Sequence, residues 1–261
     1  MSSFIPDGYR TLTGYPVVQS AADMIDFLKI VFDAEEKFRA IGSAGGIHAE
    51  MRIGDSMLML GGGGPDLRWS GHSRPMAFHI SVPDVDATFE RAIKAGAIAT
   101  TPPTDQPWGE RTANVEDPFG NRWYIGTRLG ATYFFEGMPT LQPYLHGTHP
   151  AELIDFICRA FGAEELGRHA PDGEILHSTL KIVDATIEIS VAGGPYQPMP
   201  SMFYLYVPNV DSAYDKALQA GATSIAAPAD QAYGDRSAGV TDPFGNTWYM
   251  ATHLSTPQPT E

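Results

Sequence analysis

The sequence predicts an α+β protein made of four βαβββ modules, arranged as two tandem domains, and three observations support this. The 261-residue chain contains the same segment twice. Within each copy, β-rich runs and amphipathic helical runs follow the order strand, helix, three strands, and this order occurs twice. Two domains of about 130 residues also fall within the usual range of domain size, in which each can bury its own core.

The repeat is clearest near the end of each copy. Residues 105–124 contain two stretches that recur within residues 230–249 at an offset of 125. Earlier in each copy the offset is 129, as for His48 and His177. Such self-similarity at a fixed spacing indicates one structural unit used twice. The difference of four residues predicts a shortened loop in the second copy, near Gly193.

Local patterns place the elements of the first module. Gly14–Gln19 is a short β run. Ser20 lies three residues before Asp23, which is a capping-box spacing, and the helix that it opens is expected to run through Phe32. Three strands follow, of which the last two are joined by a Gly-Asp hairpin turn: Lys37–Ala40, His48–Ile53 and Ser56–Leu60.

The second module repeats this order. A strand at Met76–Val82 precedes a helix that starts at Pro83-Asp84 and is expected to run through Ala95, with Gly96 ending it. The sequence places two of the three strands that should follow this helix: Arg111–Val115 and Arg122–Thr127. The repeat then sets the expected boundaries, which are a first domain at 1–129, a linker at 130–140, a second domain at 141–254 and a disordered tail at 255–261.

Composition indicates the setting in which the protein works. Hydrophobic residues make up 43% of the chain, which is typical of a globular protein. The single cysteine, Cys158, excludes an intrachain disulfide and favours a reducing, cytoplasmic compartment. No apolar run is long enough for a membrane span, and a net charge of -14 opposes binding to nucleic acid or anionic lipid. We expect a soluble monomer or homodimer whose partner is a small-molecule ligand.

Two motifs carry a resemblance to a known family. The first is Asp-Gln-Pro-Trp-Gly-Glu-Arg at 105–111, and the second is Asp-Pro-Phe-Gly-Asn-Arg-Trp at 117–123. With the βαβββ pairs, they resemble the vicinal-oxygen-chelate superfamily of glyoxalase I, bleomycin-resistance proteins and extradiol dioxygenases. The resemblance covers nearly the whole chain and implies curved mixed sheets enclosing clefts. The second motif has a structural interpretation, in which Gly120 permits a tight turn and Trp123 fills the sheet interior.

The resemblance also implies where metal ligands would lie, and most of these positions hold poor ligands. The matching pairs in the two copies are Thr13 and Gln142, Met59 and Glu188, Ala77 and Met202, and Tyr124 and Tyr249. A catalytic divalent ion needs about three nitrogen, sulfur or carboxylate donors. Only Gln142 and Glu188 match the family pattern, so we expect no metal cofactor. A divalent ion held by Gln142, Glu188 and a shifted His79 is the alternative.

The sequence leaves open which modules share a cleft. His79 lies two residues after Ala77, so both side chains point to one face of their strand. If modules pair across the copies, as in glyoxalase I, then Gln142 and Glu188 face His79 and Tyr124. If they pair within each copy, as in the dioxygenases, Gln142 and Glu188 face Tyr204 and Tyr249 instead.

These positions define the candidate site. Glu188 and His79 are the expected catalytic acid–base residues, whereas His48 and His177 repeat and favour a structural role. Trp108 and Tyr233 are candidate lids in loops. The expected ligand-binding residues are Gln142, Tyr144, His146, Tyr124, Trp108, Tyr204, Tyr233 and Tyr249.

Three functional hypotheses follow. The first is a metal-independent protein that binds or transforms an apolar or aromatic metabolite or antibiotic. The second is a divalent-metal-dependent lyase or isomerase of the glyoxalase type, in which the ion stabilises an enediolate. The third is a non-catalytic interaction module.

Overall fold

A computed structural model of the chain describes residues 4–64, 67, 69–130 and 137–254. Within them, the order strand, helix, three strands occurs four times, which confirms the predicted α+β class and the four modules. Residues 131–136 of the predicted linker and the predicted tail at 255–261 lie outside the described residues. In the described part of the chain, no helix is both long and apolar enough to span a lipid bilayer.

The first copy contains two modules. Its elements are β1 (Leu12–Gly14), β2 (Val17–Val18), α1 (Ala21–Phe32), β3 (Glu35–Ile41), β4 (Ile47–Ile53), β5 (Ser56–Gly62), β6 (Ala77–Ser81), α2 (Val85–Lys94), β7 (Ile98–Asp105), β8 (Glu110–Glu116) and β9 (Arg122–Arg128). The first strand was expected as one run, but it is broken at Tyr15-Pro16. Proline has no N–H to donate to a sheet, and the matching position in the second copy is Leu145, where the strand is continuous.

The second copy repeats these elements with one shorter connection. Its elements are β10 (Leu141–Gly147), α3 (Pro150–Phe161), β11 (Glu164–His169), β12 (His177–Ile182), β13 (Ala185–Val191), β14 (Met202–Tyr206), α4 (Val210–Gln219), β15 (Thr223–Asp230), β16 (Asp235–Thr241) and β17 (Thr247–His253). The connection at 192–201 is four residues shorter than its counterpart at 63–76. The predicted loop deletion therefore lies between β13 and β14, where Gly193 stands.

The chain packs as two compact units whose limits differ from those of the repeats. The N-unit is residues 14–145, and the C-unit comprises the described residues within 1–13 and 146–261. In the N-unit, β10 pairs antiparallel with β6, which places Gln142 opposite His79. In the C-unit, β1 lies beside β14. Each unit therefore includes the first strand of the other repeat.

Each unit contains two groups of hydrogen-bonded strands. In the N-unit the orders are β2-β5-β4-β3 and β10-β6-β9-β8-β7. In the C-unit they are β11-β12-β13 and β1-β14-β17-β16-β15. Because β6 pairs parallel with β9, and β14 pairs parallel with β17, matching residues of the two repeats occupy matching places in their units.

Alternation along the strands separates an apolar face from a polar one. In the N-unit, Phe78 stacks on Trp123 with ring centroids 5.0 Å apart, and Phe32 of α1 lies 4.5 Å from the same indole. The C-unit repeats this packing, with Phe203 4.4 Å from Trp248. Both indoles are fully buried, as their motif predicts. Successive strand residues point to opposite faces of a sheet. The side chains that directly precede or follow Phe78 and Trp123 along their strands therefore lie on the polar face.

The second sequence motif is a buried hydrogen-bonded turn. One carboxylate oxygen of Asp117 accepts the Trp123 Nε1–H at 2.9 Å, and the other accepts the backbone N–H groups of Phe119 and Asn121 at 2.9 and 2.8 Å. Gly120 adopts a φ of 88°, which a side chain would strain. Burial raises the pKa of Asp117, against the opposing effect of these hydrogen bonds. The turn is therefore structural, and Asp242 forms its counterpart in the second copy.

The helix ends follow local chemistry, with one exception. The side chain of Asp84 accepts the Ala87 N–H at 3.0 Å and so caps α2. The expected capping box at Ser20 is wrong in detail: the serine hydroxyl donates to the Asp23 carboxylate at 2.5 Å and does not accept a backbone N–H. The first turn of α1 is thus stabilised through Asp23, whose charge suits a helix N-terminus.

Candidate functional site

The polar face of the N-unit brings together several of the predicted residues. His79 on β6 stands opposite Gln142 on β10 and opposite Tyr124 on β9. Gln142 is 1% exposed and His79 is 9% exposed. These three side chains form one row across three strands.

His79 is paired with a carboxylate that the sequence prediction did not include. Its Nε2 lies 3.6 Å from Oε1 of Glu110, and the two side chains are 11% and 5% exposed. Trp108 donates its Nε1–H to Oε2 of the same carboxylate at 3.1 Å. Oε1 is buried and makes no hydrogen bond within the described residues. A buried carboxylate oxygen without a hydrogen bond is uncommon in folded proteins.

A glycine makes room for this pair. A Cβ built on Gly126 of β9 would lie 2.7 Å from Glu110 Oε1 and 3.1 Å from His79 Nε2. Both distances are too short for ordinary contact. Gly126 is therefore the position on β9 that lets the imidazole and the carboxylate approach each other.

Aromatic side chains flank the row. The rings of Tyr124 and Tyr144 have centroids 4.7 Å apart and are half-buried. Trp108, predicted as a lid, is 44% exposed although its indole N–H is bonded to Glu110. The N-unit thus presents an aromatic surface beside a buried acid–base pair.

The C-unit has a different set of side chains at the matching positions. Tyr204 replaces His79, and its hydroxyl donates to Oδ2 of Asp235, the counterpart of Glu110, at 2.8 Å. The other oxygen of Asp235 lies 2.9 Å from Nδ1 of His253. Burial raises the pKa of the Tyr204 phenol, and the charge of Asp235 adds to the effect. Tyr204 is therefore a neutral hydrogen-bond donor.

The remaining predicted aromatics of the C-unit lie around this group. Tyr249 stands opposite Tyr204 in the register of β14 and β17. Tyr233, which precedes Asp235 by two residues as Trp108 precedes Glu110, is 64% exposed.

A second polar cluster of the C-unit contains the other predicted catalytic residue. Glu188 is 4% exposed and its Oε2 lies 3.1 Å from Nε2 of His177. Two residues further along β13, Ser190 bonds Nδ1 of His146 at 2.7 Å, and the His146 ring stacks on Tyr196 at 5.4 Å. His177, for which the sequence favours a structural role, therefore contacts Glu188 directly.

The matching cluster of the N-unit lacks this carboxylate. Met59 occupies the position of Glu188. The distance from Nδ1 of His48 to the hydroxyl oxygen of Tyr15 is 2.6 Å. The Nε2 of His48 is 3.4 Å from Glu50. The repeated histidine is thus retained with different partners in each copy.

The histidines and carboxylates do not form the ligand cluster that the family pattern implies. Among the residues that the structure describes, no group of three or more His, Cys, Asp or Glu side chains is arranged to hold a metal ion. The histidines close to carboxylates form pairs, such as His79 with Glu110 and His177 with Glu188. A pair falls short of the three donors that a catalytic ion needs.

Sequence reasoning missed Glu110 and Asp235. Both belong to a motif that recurs in the two copies, and an aromatic residue precedes each acid by two positions. That repeated aromatic-Gly-acid pattern is the signal that could have identified them. A motif that identifies the fold does not by itself indicate which of its residues belong to a site.

Known proteins support this architecture. The family model "Glyoxalase/Bleomycin resistance protein/Dioxygenase superfamily" matches residues 16–125 and 145–250. The crystal structure of glyoxalase I from Zea mays superposes with a TM-score of 0.70 at 15% identity and covers 92% of each chain. At that identity, the likeness concerns the fold alone.

Two relatives come from Mycobacterium tuberculosis. An uncharacterized protein is 42% identical over 123 residues, which is 44% of this chain and 72% of the relative. A protein named "Putative glyoxylase CFP32" is 28% identical over 175 residues, 64% of this chain and 65% of its own length. Because the family match spans most of both repeats, the chain belongs to the glyoxalase/bleomycin resistance protein/dioxygenase superfamily.

Proposed function

We propose that this protein binds an apolar or aromatic metabolite and transforms it by acid–base chemistry, without the divalent metal common in its superfamily. The observation that carries the proposal is the buried pair of His79 and Glu110 beside an aromatic surface. Buried ionisable pairs next to a binding surface are typical of acid–base sites.

The chemistry rests on the two ring nitrogens of His79. A carboxylate can only accept hydrogen bonds, so a Glu110 anion stabilises the imidazole with a proton on the nitrogen that faces it. An imidazole can take or return a proton near neutral pH, because its ordinary pKa lies close to that range. His177 and Glu188 form a comparable pair in the C-unit, at 3.1 Å.

The aromatic surface favours a ligand with little charge. Tyr124 and Tyr144 offer ring faces, and Gln142 offers one buried amide for orientation. Ligand sites in proteins are mostly apolar with a few polar groups that fix the orientation of the ligand. The superfamily match and the name of the Mycobacterium tuberculosis relative support a small-molecule role.

The binding test uses the full chain and N-phenyl-1-naphthylamine, an uncharged aromatic probe whose fluorescence rises in an apolar site. We expect saturable binding that Tyr144→Ala weakens by about tenfold, since a stacking contact contributes roughly 0.5–1.5 kcal/mol beyond buried area. His72→Gln, at an exposed histidine of the same unit, is the matched control and should bind as the wild type does.

Two results would contradict the proposal. Equal affinity of the wild type and Tyr144→Ala would remove the aromatic surface from the binding site. Near-stoichiometric zinc, nickel or iron in protein purified without chelator, lost in Glu188→Ala, would favour the metal-dependent lyase.

A further inference from the structure

The C-unit contains a hydrogen-bonded chain of three side chains that the proposed function does not use. Asp235 is 5% exposed and accepts the Tyr204 hydroxyl at 2.8 Å through Oδ2. Its other oxygen lies 2.9 Å from Nδ1 of His253. Each carboxylate oxygen therefore has one close partner, and the three groups form a Tyr-Asp-His chain.

The register of the strands explains how the three groups meet. Asp235 of β16 stands directly opposite His253 of β17, whereas Tyr204 of β14 stands opposite Tyr249. The Tyr204 hydroxyl therefore reaches Asp235 diagonally across β17, at the position of Ala251. Ala251 matches Gly126 of the N-unit in sequence, and its short side chain leaves the diagonal open.

The carboxylate fixes the orientation of the imidazole. Because an ionised carboxylate only accepts, Nδ1 of His253 must carry the hydrogen, and Nε2 of the neutral ring then has a lone pair. The His253 side chain is 34% exposed. Its ring is hydrogen-bonded through Nδ1, and Nε2 has no hydrogen-bond partner among the described residues. A buried Asp that holds a partly exposed imidazole in this way is the arrangement of a general base.

Aromatic rings lie around the Tyr-Asp-His chain. Tyr204 and Tyr206 meet edge to face with centroids 5.1 Å apart, and Tyr9 lies 5.7 Å from Tyr206. Tyr249 lies beside Tyr204 in the register, and the exposed Tyr233 follows from the adjoining loop. Ring faces and edges at this spacing suit a planar aromatic ligand.

We infer that the C-unit carries a second acid–base site, separate from the His79 pair, which takes a planar aromatic molecule bearing a hydroxyl group. The ligand O–H bond breaks and its proton goes to Nε2 of His253. The products are a phenolate and an imidazolium, and the Asp235 carboxylate stabilises the imidazolium. The step needs no oxidant, reductant or metal.

The test uses the full chain and 4-nitrophenol, whose phenolate absorbs visible light and whose neutral form does not. Below the pKa of the free probe, wild-type protein should produce a saturable rise in phenolate absorbance. His253→Gln should weaken the binding that produces the phenolate signal by about tenfold or more. This is the loss expected for a charge-assisted hydrogen bond. Asp235→Asn should act in the same direction, since the imidazolium loses its counter-charge.

His169→Gln is the matched control, because His169 is an exposed histidine of the same unit. It should give the wild-type signal. No rise in phenolate absorbance with the wild type, or an unchanged rise with folded His253→Gln, would overturn the inference.

A second measurement needs no substitution. Imidazole ¹H–¹⁵N spectra of the wild type, saturated with 4-nitrophenol, should show one histidine gaining a proton at Nε2. Unchanged histidine signals at saturation would overturn the inference even if the variants failed to fold.

Discussion

Gly126→Ala is the substitution that most sharply probes the His79–Glu110 pair. The added Cβ would lie 2.7 Å from Glu110 Oε1, and the carboxylate must retreat by about 0.7 Å to restore ordinary contact. Glu110 cannot retreat freely, because it is 4% exposed and holds the Trp108 indole at 3.1 Å. We expect a loss of about 1–3 kcal/mol in the free energy of unfolding, the usual cost of overpacking a buried site.

A double-mutant cycle separates this clash from a general effect of alanine. In the background of Glu110→Ala the 2.7 Å clash is gone and the tight contact of 3.1 Å with His79 Nε2 remains, so Gly126→Ala should cost less than in the wild type, by about 1 kcal/mol or more. Urea denaturation followed by circular dichroism gives the four free energies. A similar cost of Gly126→Ala in both backgrounds would refute the reasoning.

Three further predictions concern the turn motifs and Trp108. As the pH falls toward 3.8, the free energy of unfolding of the wild type should rise relative to that of Asp117→Asn. Urea denaturation at a series of pH values measures this difference. The raised pKa of Asp117 means that its ionised form costs stability above that pH. Asn246→Ala should cost about 1–3 kcal/mol in thermal unfolding, because it leaves the buried Ser201 N–H without its acceptor at 2.9 Å. Trp108→Phe should cost about 1 kcal/mol in urea, since it removes the N–H donor to Glu110.

Each of the three has an outcome that would contradict it. A pH-independent difference between the wild type and Asp117→Asn would mean that burial does not oppose ionisation there. Unchanged melting of Asn246→Ala would mean that water satisfies the freed N–H. Equal stability of Trp108→Phe would show that its hydrogen bond to Glu110 contributes nothing net.

The sequence predicts the modules well because repetition and periodicity are local signals. The buried indoles and the tight turn at Gly120 follow from the repeated Asp-Pro-Phe-Gly-Asn-x-Trp motif. The position of the loop deletion also follows, because the offset changes from 129 to 125 between recognisable segments.

The pairing of strands is harder to predict from the sequence. Alternation along β10 indicates which side chains share a face, but it does not say that Gln142 stands opposite His79. That pairing depends on which module the strand joins, and both arrangements satisfy the same hydrophobic pattern. The break in the first strand at Pro16 is not predicted by the presence of a proline alone, because Pro143 lies inside the continuous β10.

The candidate site was predicted in part for the same reason. Gln142 and Tyr124 could be placed from the family pattern and His79 from alternation along its strand, whereas Glu110 lies on β8 and reaches His79 only because Gly126 leaves space between them. The contact depends on the absence of a side chain at Gly126, and hydrophobic patterning does not predict such a contact. The acid in the repeated motif was the available signal.

The central claim is that the protein binds an apolar or aromatic metabolite without a metal. The most direct test is the binding isotherm of N-phenyl-1-naphthylamine for the full chain, before and after dialysis against chelator. We predict the same dissociation constant in both samples. Loss of binding after chelation, with recovery when zinc is added back, would contradict the claim.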